Sequence, residues 1–246
     1  HRFFDRHLKG IDTGIDRDPP IHYFVTGAGE WRAATQWPLP QARQVSFGLT
    51  ASGLVDRADG TPLRRAFPVD YTVTCPEGGS GATVQPCHLP GKGLSLAGKA
   101  LKAPVEVTGH GLADVWIAAD TPDANLFVYL EDVAPDGSVR VVTEGRLKAT
   151  LRKLDQAPWA LPGLPWHRAY AEDVQWLKPG EPVRLQFDLM PTSYVFAKGH
   201  RIQFTFTGSD HRERARDAKA QPKEIVLMSD TAHASRISLP VVAAQP

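Results

Sequence analysis

Apolar residues along this chain mostly alternate with polar ones in short runs, broken by glycine, proline and aspartate. Only the first ten residues carry a helical period. In Arg2-Phe3-Phe4-Asp5-Arg6-His7-Leu8-Lys9-Gly10, Phe4 and Leu8 lie four apart and share one face, and Gly10 is a stop signal. So short a helix cannot bury that face alone and must dock on something. Short runs between turn residues predict strands at 21–26, 45–50, 105–107, 113–119, Asn125–Val133, 139–143, 183–189, 200–207 and 237–242. Pro135-Asp136-Gly137-Ser138 predicts a hairpin turn, because Asp-Gly tolerates the positive φ such turns need. Lys198-Gly199 predicts another tight turn. In the strand that follows, Ile202, Phe204 and Phe206 should be buried together, opposite Arg201, Gln203 and Thr205, with Val183, Leu185, Phe187 and Leu189 as their facing layer. Segments 15–20, 54–62 and 75–93 read as loops. Segment 210–220 is charged on nearly every side and reads as a solvated loop with at most a turn or two of helix. Short strands at this spacing predict an all-β sandwich of jelly-roll type.

Composition narrows the partners. Twenty-eight Lys+Arg against 27 Asp+Glu leave a net charge of +1, so nucleic acid or an anionic membrane is a poor default partner. No apolar run approaches the roughly 20 residues of a membrane span. The chain opens at His1 without a Met, as a portion of a longer polypeptide would. The two cysteines, Cys75 and Cys87, read either as a disulfide closing a surface loop, which would indicate an oxidising compartment, or as two unpaired thiols.

A serine nucleophile on a strained elbow needs glycine two residues before it and two after it. Ser80, in Gly78-Gly79-Ser80-Gly81-Ala82, and Ser95, in Gly93-Leu94-Ser95-Leu96-Ala97, both lack the second glycine, so no catalytic residue is assigned. Cys75, Cys87, His88 and His110 lack the paired spacing of a zinc site. Asp114, Asp120, Asp123, Glu131, Asp132 and Asp136 are concentrated locally but lack the alternation of a calcium loop. They are expected to be strand-end carboxylates facing water. No metal or cofactor is expected. Trp159, Trp166 and Trp176 fall in one proline-punctuated stretch with His167 and Tyr170. Tryptophan is costly to expose, so this stretch covers a core edge, meets a partner surface or stacks on sugar rings.

The opening 3–11 stretch resembles the helix that ends the α/β-hydrolase domain in the bacterial cocaine-esterase-like and X-Pro dipeptidyl-peptidase-like (CocE/NonD) serine hydrolases. Similar matches follow at Tyr23-Phe24-Val25-Thr26-Gly27, Glu30-Trp31-Arg32 and Trp37-Pro38-Leu39-Pro40. Others are 118–127, 130–137, 177–182 and the run from Phe187-Asp188-Leu189 to Gly199-His200-Arg201-Ile202. The resemblance implies a galactose-binding-like jelly roll appended to a catalytic domain. It also implies that the Ser-His-Asp triad lies upstream of His1, so this chain should be inactive alone. Residues 1–40 would be the end of the hydrolase domain and its linker, and 41–246 the C-terminal sandwich. Phe4, Leu8, Trp159, Trp166 and Trp176 are the candidate domain interface, with the upstream domain as partner and a homo-oligomer as a further possibility. Asn125, where the family often has Asp, and 212–217, which lack its Asn/Pro-rich loop, depart from the pattern. The competing reading is a free-standing carbohydrate-binding sandwich, which would have no use for the N-terminal helix.

Overall fold

The computed structural model describes residues 1–56, 61–73, 89–212 and 221–243. Helix α1 (Arg2–Lys9) ends as the sequence predicts. Gly10 takes the left-handed conformation, with φ of 71°, and its N–H bonds to Arg6 O at 3.2 Å.

The strands follow as β1 (Ile21–Val25), β2 (Glu30–Ala34), β3 (Ala42–Thr50), β4 (Gly53–Val55), β5 (Leu63–Pro68), β6 (Leu94–Ala97), β7 (Val105–Gly109) and β8 (Leu112–Ala119). The second half holds β9 (Asn125–Val133), β10 (Val139–Lys148), β11 (Val183–Asp188), β12 (Thr192–Phe196), β13 (Arg201–Thr207), β14 (Glu224–Ser229) and β15 (Arg236–Val242). They form a jelly-roll sandwich. The smaller sheet runs β10-β9-β13-β6, and the larger carries β3, β4, β5, β7, β8, β11, β12, β14 and β15. Within the larger sheet, β7 and β8 both pair with β15, and β12 and β11 pair with β7 and β8 in turn. These pairs therefore read as two long, kinked strands lying side by side. The predicted hairpin joins β9 to β10, with the Ala134 N–H on Ser138 O.

The core fills the space between the sheets. Ile202, Phe204 and Phe206 of β13 and Leu126, Val128 and Leu130 of β9 share it with Leu185, Phe187, Val115 and Ile117 of the larger sheet. The predicted inward set on 200–207 is therefore correct. The opposite set is not uniformly wet. Thr205 is buried, and Gln203 Nε2 donates to Glu131 Oε2 at 2.7 Å.

The reading of the acidic group also needs correction. Asp114, Asp123, Glu131 and Asp132 are buried and paired rather than facing water. Arg184 Nε and Nη2 grip the two Asp114 oxygens at 2.6 and 2.8 Å, and Arg236 adds a third contact. Tyr194 and His200 take the two oxygens of Asp132, each at 2.8 Å. Burial, and then the bond to Asp132, pushes the Tyr194 hydroxyl up to about 12.

The start of 210–220 is likewise not solvated. Asp210 is buried against the Tyr129 hydroxyl and Arg212, and Arg212 also reaches Glu144. Burial opposes ionisation of Asp210, but bonds from Arg212 and Tyr129 hold its carboxyl below the usual range. A sequence pattern cannot reveal this, because each charge finds its partner only when distant strands meet. Strands β2, β4, β5, β6, β12 and β14 also escaped the reading, and β4 runs into the 54–62 stretch expected to be a loop. In β5, Leu63 and Phe67 are the buried pair, four residues apart with two arginines between them, so no alternation is visible.

Candidate functional site

No residue of α1 is buried. Phe3, Phe4, Leu8 and Ile11 are each more than half exposed, Phe4 at 60% and Leu8 at 77%. Ion pairs and hydrogen bonds to the segment downstream hold the helix: Arg2 pairs with Asp18 at 2.9 Å, Arg6 pairs with Asp16 of the 3₁₀ turn 15–17 at 2.5 Å, and the Thr13 hydroxyl donates to Arg2 O at 3.1 Å. The apolar side of the helix is left to solvent, the arrangement that a missing partner would cover.

The tryptophan-bearing stretch links β10 to β11. It is pinned to one end of the sandwich by Gln175 N–H on Thr150 O at 2.8 Å and Leu177 N–H on Pro122 O at 2.7 Å. His167 spans two backbone carbonyls, with Nδ1 3.1 Å from Lys153 O and Nε2 2.8 Å from Gln186 O. Arg168 grips Asp173 through Nε at 2.7 Å and Nη2 at 2.8 Å, and Lys153 joins at 2.6 Å. The bonds from Arg168 first, and from Lys153 next, hold the Asp173 carboxyl well below the usual carboxylate range. Between these anchors Ala169 takes a φ of 58°, a conformation that costs a non-glycine residue energy and persists only where its surroundings enforce it.

On this frame Trp159 and Trp166 meet edge to face at 5.6 Å. Trp159 is 59% exposed, Trp176 54%, and Tyr170 also faces outward under the Arg168 guanidinium. Trp166 is half-buried. The stretch is thus an ordered platform with two indoles turned to solvent.

A third aromatic group escaped the sequence reading. Phe24 of β1 and Trp31 of β2 form an exposed edge-to-face pair at 5.6 Å. The signal was available, because Phe24 alternates with Tyr23 and Val25, which turn inward. Thr26, next to the hairpin, exchanges backbone bonds with Ser193 and Val195 and so ties it to the edge of β12.

Catalytic chemistry is sparse. Ser95 lies on β6 with its hydroxyl 2.7 Å from that of Thr205, which itself donates to Glu131. Ser80, Cys75 and Cys87 lie outside the described residues. Among the described residues, no group of three His, Cys, Asp or Glu side chains is placed to hold a metal, and no helix is long and apolar enough to cross a membrane.

These features define a jelly-roll domain with exposed aromatic surfaces. The family model for the X-Pro dipeptidyl-peptidase C-terminal non-catalytic domain matches residues 13–234, and the chain belongs to that family. It is 38% identical to the Mycobacterium bovis protein named "Putative serine esterase Mb1866c", over 98% of this chain and 40% of that protein. It is 26% identical to cocaine esterase of a Rhodococcus species, over 98% of this chain and 45% of the esterase. A CocE/NonD family hydrolase from Staphylococcus aureus shares the fold, with a TM-score of 0.75 at 19% identity over 98% of this chain and 44% of that structure. The chain therefore spans less than half the length of the relatives it matches.

Proposed function

We propose that this domain packs against an upstream α/β-hydrolase domain of a serine esterase or dipeptidyl-peptidase, covers part of it and shapes one wall of its acyl pocket. Residues 1–40 are then the tail of the hydrolase domain and its linker, and 41–246 the appended sandwich. The observation that carries the reading is α1, a helix with three exposed apolar side chains and none buried, with exposed Ile11 just beyond its cap. Burying what each still exposes contributes about 1–2 kcal/mol, enough together to favour a fixed arrangement of two domains. Trp159, Trp166 and Trp176 supply a second, rigid contact. Indole rings are favoured at interfaces because they bury much area at little conformational cost.

Hydrogen exchange compared between the 246-residue chain and the full-length polypeptide tests this. Slower exchange across α1 and 152–177 in the full-length protein is the expected result. Equal exchange in both proteins at both segments contradicts docking. A protein with no upstream hydrolase domain would favour the free-standing module.

A further inference from the structure

The two sheets come together along one side of the sandwich, where β4 at the edge of the larger sheet meets β6 at the edge of the smaller. A cleft of about 460 Å³ opens there. Its floor is continuous with the core. Leu54 and Ile202 are buried, and the Phe47 ring packs edge to face on Phe204 at 6.3 Å. Half-buried Val55 and Leu101 extend the apolar wall. The wall is preformed, because Gly98 N–H bonds to Ile202 O at 2.8 Å and Leu101 N–H to His200 O at 2.8 Å. Lys99 and Lys102 stand exposed at the mouth, and neither pairs with another described residue. Asp56 also lines the cleft, so the charged rim carries two cations against one anion.

A cleft of this size, with an apolar floor, a partly polar wall and a net positive mouth, suits an aliphatic chain ending in a single negative charge. We propose that this cleft binds a medium-chain fatty-acid carboxylate, tail on Phe47, Leu54 and Ile202, head between Lys99 and Lys102. The proposal is independent of whether α1 docks on another domain.

Calorimetric titration of the chain with hexanoate, octanoate and decanoate tests it, with acetate and 1-decanol as single-feature controls. Saturable 1:1 binding of decanoate is expected. Affinity should rise by up to about fourfold per methylene along the series, and acetate should give no saturable heat. Lys99→Gln with Lys102→Gln should weaken decanoate about tenfold and leave decanol unchanged, and raised salt should act in the same direction. Ala100→Trp, at an exposed cleft-lining position, should plug the slot without touching the core and abolish both. Absence of saturable decanoate binding overturns the proposal. So does decanoate affinity unchanged in the double variant, or binding that survives Ala100→Trp in a protein melting like the parent.

Discussion

Phe204 and Gln203 are neighbours on β13 with opposite surroundings. Phe204 is fully buried between the sheets, so Phe204→Ala should cost about 3–5 kcal/mol. Pattern alone would make Gln203→Ala nearly silent. The buried Glu131 carboxylate changes that, because it loses one of its donors. The expected cost is about 1–3 kcal/mol. Urea unfolding of both variants checks the order, and a larger loss from Gln203→Ala contradicts the register. Asp173 is a second residue whose role lies in its partners. Its folded pKa is depressed below the ordinary aspartate value of about 3.9. Its contribution to stability is therefore fully present above that value and fades as pH falls through the folded value. Asp173→Asn should lower the melting temperature at pH 7, and the gap to the parent should close as the pH falls below about 4. A gap independent of pH contradicts the ion cluster as its cause. The inward apolar residues were legible because alternation marks them. The buried Asp114, Asp132 and Asp210 were not, since Arg184, Tyr194 and Tyr129 reach them from strands far away in sequence.

Elements were legible where an apolar run is compact and bounded by turn or capping residues. Strand β9 matches its expected bounds at both ends, and α1 ends at its glycine. Strand β10 runs on to Lys148, five residues past its expected end. Its extension carries Glu144, Gly145 and Arg146, which disguise a strand whose partners are Tyr129, Val128 and Phe127. Contacts between elements leave faint marks in the chain. Gly53, at the start of β4, has a φ of 121°, and a Cβ there would sit 2.3 Å from Ala97 O on β6. Gly53→Ala should therefore destabilise by about 1–3 kcal/mol through backbone conformation, with the clash adding to it. A variant that melts like the parent would mean that the two sheet edges are not held this close.

At the scale of the whole molecule, the all-β class followed from turn chemistry and strand length, and the family from the runs around Asp120-Thr121-Pro122 and Phe187-Asp188-Leu189. The order of strands in each sheet did not, because nothing local says that β13 lies between β6 and β9. The aromatic surfaces were half legible. Trp159, Trp166 and Trp176 stood out by residue type, while Phe24 is marked only by the alternation of β1 and meets Trp31 when the hairpin forms. These surfaces make a domain that presents apolar area outward and keeps its one described serine candidate, Ser95, engaged with Thr205 on a strand.

The central claim is that this domain contributes no nucleophile, and a serine-reactive fluorophosphonate probe tests it most directly. Both the isolated chain and the full-length polypeptide should be treated and the labelled peptides mapped. The account predicts no stoichiometric label anywhere in residues 1–246, with labelling in the full-length protein confined to a serine upstream of His1. Stoichiometric modification of Ser95 or Ser80 would contradict it.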